Sequence, residues 1–271
     1  MNRRPIFIGG MMRSGTTLMR NMLGQHSKIA WGQDTNWFDW DWPGRLRPDM
    51  QQTLASLARY FAINEDDVRV LAQYLGSPEV FLTILMEELA QREGKERWVE
   101  RATGNVVHMD RIWRAFPEAQ IIQVTRDPRD IFASLLEAKK CDSIQAFVDR
   151  WAATICVSED LLTTLKPTPQ NYMVVRYENL VGATESTMRR VFDFLGESWE
   201  QVTGDTRQSA RRPLNARCQA TTKLAVQKVP ITSERVDIWR RILSDKDVLA
   251  MQQAMADRGY GELYQRAVAA G

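Results

Sequence analysis

The stretch PIFIGGMMRSGTTLMRNML, residues 5–23, decides how the rest of the chain is read. Pro5 to Ile8 is a short apolar run that ends on Gly9-Gly10, the pattern of a buried strand entering a glycine turn. From Thr16 to Leu23 the period changes. Leu18, Met19, Met22 and Leu23 fall on one face of a helix. Between strand and helix lies Gly10-Met11-Met12-Arg13-Ser14-Gly15-Thr16-Thr17, which has the spacing of the phosphate loop GxxxxGK[ST] with one departure, since Thr16 stands where the Lys belongs. Glycines let the backbone curl so that successive N–H groups face one anion. The helix N-terminus adds a partial positive charge worth about 0.3–1 kcal/mol per anionic group at exposed sites.

The missing Lys narrows the ligand. In nucleoside triphosphatases that Lys bridges the β- and γ-phosphates. A phosphate–sulfate anhydride has no γ-phosphate and carries less charge, so no metal is called for. Arg13, inside the loop, can supply a cation that binds two oxygens at once.

Outward from this loop, apolar runs alternate with helical patterns. Ile29 to Trp31, Trp98 to Arg101, Ile121 to Thr125 and Tyr172 to Arg176 read as further strands. Helices are expected from about Val106 to Phe116, from Pro128, from Phe147 to Leu165 and from Glu185 to Leu195. Two more are expected from about Ser233 and Asp245. This alternation predicts an α/β fold with a central parallel sheet of the P-loop type, flanked by helices on both faces. Its 271 residues suit one domain, 1–271, with a helical insertion over about 45–95 and a polar, basic lid over about 204–232.

A second anion site is visible at Arg126-Asp127-Pro128-Arg129-Asp130. Asp127 suits a helix N-cap and Pro128 the first helical position. Arg126, at the strand's carboxyl end, points into the crevice where open α/β sheets bind ligands. Ser134 lies about two turns into the helix that follows, able to offer a hydroxyl to the same anion.

Hydrophobic residues make up 44% and charged residues 26%, ordinary for a chain with a sizeable core. A formal net charge of +2 gives no reason to expect nucleic acid as a partner. Cys141, Cys156 and Cys218 are widely spaced and odd in number, so neither a disulfide framework nor a zinc site is expected. No apolar run approaches the roughly 20 residues a membrane span needs. The expected compartment is the cytoplasm, and a homodimer is left open.

Together the two anion segments resemble those of the sulfotransferases that use 3′-phosphoadenosine 5′-phosphosulfate (PAPS). Arg13-Ser14-Gly15-Thr16-Thr17 is similar to that family's 5′-phosphosulfate loop, and Arg126 with Ser134 to the pair that grips the nucleotide's 3′-phosphate. The run MMRSGTTLMRNMLGQH, Phe116-Pro117, Val174 to Leu180, Phe194-Leu195-Gly196 and Trp239 resemble the tyrosylprotein and carbohydrate branch, in a soluble bacterial-type member.

The resemblance implies a sulfuryl transfer from PAPS to a hydroxyl acceptor. It implies Tyr177 beside the nucleotide, with Thr221, Thr222 and Lys228 reaching it from the lid. Asp34, in Gly32-Gln33-Asp34-Thr35-Asn36, takes the place of the acceptor's base, and Asn36 replaces a substrate-contacting Arg. Arg101 replaces a catalytic Lys, keeping its charge but not its acidity. His26 and His108 read as structural.

Trp31, Trp37, Phe38, Trp40 and Trp42, with Asp39 and Asp41 between them, read equally as an acceptor-stacking cluster or as core. Two other functions compete. A kinase using ATP is disfavoured by Thr16, and a non-catalytic nucleotide-binding protein by the intact Arg13, Arg126 and Ser134.

Overall fold

Four residues, Ile6–Gly9, form β1, and none of their side chains reaches solvent. A strand buried on both faces belongs at the centre of a parallel sheet. The computed structural model places it there, in the order β2-β3-β1-β4-β5. The partners are β2 (Ile29–Trp31), β3 (Arg97–Arg101), β4 (Gln120–Thr125) and β5 (Tyr172–Arg176), and every pairing is parallel.

The model describes residues 4–32, 34–39, 78–141, 143–202 and 231–269, with isolated positions between 55 and 70. The expected helical insertion is therefore described mainly from Pro78 onward. Most of the expected lid, with Thr221, Thr222 and Lys228, lies outside the described residues, as do Trp40, Asp41 and Trp42.

The helices are α1 (Thr16–Leu23), α2 (Pro78–Arg92), α3 (Met109–Ala115), α4 (Pro128–Glu137), α5 (Ile144–Leu165), α6 (Tyr177–Gly182) and α7 (Thr184–Leu195). Beyond residue 230 come α8 (Trp239–Ile242), α9 (Asp245–Asp257) and α10 (Gly261–Ala269). Strand residues alternate between two cores. Phe7, Trp98 and Ile121 pack with α2 and α3 on one face. Ile8, Val99 and Ile122 pack with α1, α6 and α7 on the other. A third cluster joins α4, the start of α5 and the C-terminal helices.

Two helix expectations need correction. The helix expected from about Val106 is divided: Thr103–Val107 is a 3-10 turn, and α3 starts only at Met109. The helix expected from Ser233 is also broken, into a 3-10 turn at Ser233–Arg235 and the four residues of α8. Between them Asp237 takes a φ of 57°, and the Asp130 carboxylate captures the N–H groups of Asp237 and Trp239. Those donors are lost to a continuous helix.

The amino ends of the strands are closed by Arg97, 1% exposed. Its guanidinium donates to the carbonyls of Arg4 and Leu195, to Gln120 and to the Glu197 carboxylate at 2.8 Å. Arg97→Met leaves the buried Glu197 with only Lys28, 3.9 Å away, as a cationic partner among the described residues. The expected loss is about 3–5 kcal/mol, read from the urea unfolding midpoint.

Candidate functional site: two anion cradles and a carboxylate

The loop after β1 adopts a backbone that ordinary residues avoid. Gly10 has φ 145°, Arg13 φ 73° and Gly15 φ 102°. Gly15 is the N-cap of α1. A Cβ on Gly10 would lie 2.2 Å from the Val124 carbonyl oxygen, and one on Gly15 would lie 2.5 Å from the Tyr177 ring. No side chain fits at either position. A non-glycine residue held at positive φ costs on the order of 1–3 kcal/mol, and such strain gathers at ligand sites. The fully buried Ser14 Oγ has no hydrogen-bond partner among the described residues. An anion seated in the loop would satisfy it.

The second cradle touches the first. Arg13 Nε donates to Ser134 Oγ at 2.9 Å, and Arg126 donates to the Arg13 carbonyl at 3.1 Å. Arg126 also stacks on Tyr177, 4.4 Å from the ring centre, and donates to the Arg235 carbonyl. Its Nε is buried and has no partner among the described residues. The helix that presents Ser134 begins as expected, with Asp127 accepting from Arg129 N–H and Pro128 in the first turn. Thr17 stands half-buried in the first turn of α1.

Sequence reasoning did not single out Arg235. Its guanidinium pairs with Glu137 at 2.8 Å and bears on Arg13. Burial, then the neighbouring Arg235 and Arg126, hold the Arg13 guanidinium below the usual arginine range. Three cations crowded in this way create a local positive field in a chain of nearly neutral charge, which suits a polyanion.

Across the crevice, Asp34 is held by two arginines. Arg20 reaches its Oδ1 at 2.7 Å, and Arg101 pairs with its Oδ2. Arg101 also donates to Thr16 Oγ1, from Nε at 2.9 Å and from its second terminal nitrogen. One guanidinium thus joins the phosphate loop to the carboxylate. Arg20 in turn lies over Trp31, 4.6 Å from the ring centre.

The aromatic cluster divides. Trp37 and Phe38 are core residues, packed on Phe81 and Phe7 with centroids 5.3 and 5.8 Å away. That removes both from an acceptor-stacking surface. Trp31 is half-buried beside the carboxylate. His26 is buried, its Nδ1 accepting from Lys28 N–H and its Nε2 donating to the Ser198 carbonyl, a structural arrangement. His108 pairs with Asp39 at 3.1 Å.

A family model described as the sulfotransferase family matches residues 5–201. The chain belongs to the sulfotransferase family. Among curated members of that family, it is 26% identical over 206 residues to protein-tyrosine sulfotransferase A of Caenorhabditis elegans, covering 72% of this chain and 50% of that protein. The chain spans about half the length of the curated relatives it matches. The fold is shared with solved sulfotransferases. One is the sulfotransferase domain from the curacin biosynthetic pathway, with a TM-score of 0.63, 17% identity, and coverage of 95% of this chain and 98% of that one. Another is mouse sulfotransferase SULT7A1 complexed with PAP, with a TM-score of 0.52, 12% identity, and coverage of 97% and 88%.

Proposed function

We propose that this chain transfers a sulfuryl group from PAPS to the hydroxyl of a carbohydrate, phenolic or other small natural-product acceptor. One observation carries the reading: Arg13 meets both Ser134 and Arg126, so the two anion cradles open into a single crevice. One doubly phosphorylated nucleotide can then span them. The 5′-phosphosulfate rests in the loop of Arg13, Ser14, Gly15, Thr16 and Thr17. The 3′-phosphate lies against Arg126 and Ser134, with Tyr177 packed beneath. The mouse protein of the same fold, complexed with PAP, supports such a ligand.

In the transfer, the acceptor oxygen attacks sulfur as the bond from sulfur to the bridging oxygen breaks. The acceptor's proton goes to Asp34, and the electron pair leaves with the 5′-phosphate of adenosine 3′,5′-bisphosphate. Arg13, Arg101 and the loop N–H groups stabilise the charge that develops. Asp34 must first exchange part of its hold on Arg20 or Arg101 for the acceptor hydroxyl. Asn36, where relatives carry Arg, argues against an acidic peptide acceptor.

No described helix is long and apolar enough to cross a membrane.

Adenosine 3′,5′-bisphosphate at a hundred times its Kd should stabilise the chain by about 2.7 kcal/mol in a thermal melt. ATP with Mg²⁺ should not. The reverse pattern would point to a kinase. Labelled sulfate passing from PAPS to any member of an acceptor panel separates an enzyme from a nucleotide-binding protein.

A further inference from the structure

Glu100 ends the chain of contacts that leads away from Asp34. It lies on β3 next to Arg101, so the two side chains leave the strand on opposite faces. Arg101 turns to Thr16 and Asp34, on the α1 side. Glu100 is fully buried on the other side. Thr35, also fully buried, donates its hydroxyl to Glu100 Oε1 at 2.7 Å and its backbone N–H to the same oxygen at 3.3 Å. The loop after β2 therefore straddles the end of β3, with Asp34 on one flank and Thr35 on the other.

The second carboxylate oxygen is engaged as well. Asn105 Nδ2 donates to Glu100 Oε2 at 2.7 Å and to the Ile8 carbonyl at 3.0 Å. Ile8 lies two residues before Gly10, where the phosphate loop begins. Glu100 thus ties the Asp34 loop to the strand that presents the phosphate loop.

We propose that Glu100 is a positioning residue: through Thr35 it fixes the height of Asp34 above the phosphate loop, and so the distance from base to sulfur. The proposal rests on the assignment of Asp34 as base. A carboxylate buried to this degree is costly, and a sheet end needs no charge merely to pack. An ionised Glu100 accepts from Thr35 and Asn105 at once. Once protonated, the carboxyl loses its charge and one of its strong acceptor sites, and its hold on Thr35 and Asn105 weakens.

Burial raises the Glu100 carboxyl from its ordinary range to about 7. Asp34 is the charge that adds to this from the loop, while Thr35 and Asn105 pull the other way. Arg101, its neighbour on the strand, is committed to Asp34 and Thr16.

The test uses Thr35→Val, Thr35→Ser and Glu100→Gln in the full chain, with turnover of PAPS, calorimetric binding of adenosine 3′,5′-bisphosphate, and the pH profile of kcat. Thr35→Val and Glu100→Gln should lower kcat on the order of 10²-fold while nucleotide affinity stays at the parent value. Thr35→Ser, which keeps the hydroxyl, should restore turnover. The parent kcat should fall as pH drops through about 7, and this limb should be missing in Glu100→Gln. Full turnover in both Thr35→Val and Glu100→Gln, beside an inactive Asp34→Asn chain, overturns the proposal alone. Retained turnover in Asp34→Asn removes the base assignment and the proposal with it. Equal losses of kcat and nucleotide affinity, with no rescue by Ser, would mean that Glu100 only supports the fold.

Discussion

An Asp34→Asn chain is expected to hold adenosine 3′,5′-bisphosphate as tightly as the parent and to turn over about 10²–10⁴-fold more slowly. The substitution keeps the shape of the side chain and one acceptor oxygen for Arg20 or Arg101. It removes the carboxylate proposed to take the acceptor's proton. Thr16 still receives Arg101, so the phosphate loop keeps its neighbour. Binding and turnover therefore separate, and parallel calorimetry and rate measurements will show the separation. Turnover within a few-fold of the parent would remove Asp34 from the chemistry.

Arg126→Met should have the larger effect on affinity. Met fills much of the same volume but donates nothing. Two charge-assisted bonds to a phosphate, at about 1.5–3 kcal/mol each, put the expected loss for adenosine 3′,5′-bisphosphate at about 10²–10³-fold after relaxation. The loss should depend on the 3′-phosphate. Adenosine 5′-phosphosulfate, which lacks that group, should bind parent and variant nearly alike, giving a thermodynamic cycle that isolates the contact. Equal losses for both nucleotides would move Arg126 away from the 3′-phosphate. It would then serve as a brace for the backbone it already holds at Arg13 and Arg235.

The sheet was legible because each strand is a short apolar run between turn signals. Ile29–Trp31 and Tyr172–Arg176 have the boundaries their residues suggest. The loop was legible for a similar reason, since its glycines answer a local demand on φ. What escaped the sequence was set by distant partners. Glu100 belongs to the segment Glu100-Arg101-Ala102-Thr103, where only Arg101 drew notice, and its tie appears when Thr35, 65 residues away, closes on it. Arg20, in α1, acquires its partner only when the chain brings Asp34 to 2.7 Å from it. Trp37 and Phe38 sat beside the expected base and suited a binding surface as well as a core. Their burial against Phe81 and Phe7 settled which. The segment from Ser233 to Ile242 has helical composition, but Asp130 draws two of its N–H groups aside.

Arg97 knots the strands together at the pole farthest from the crevice. Durability and catalysis thus answer to different parts of the molecule. Loops around the acceptor can drift toward new substrates while the anchor beneath stays the same. A laboratory seeking altered specificity can therefore vary the exposed Asn36, provided the buried Thr35, Trp37, Arg97 and Glu197 are left alone.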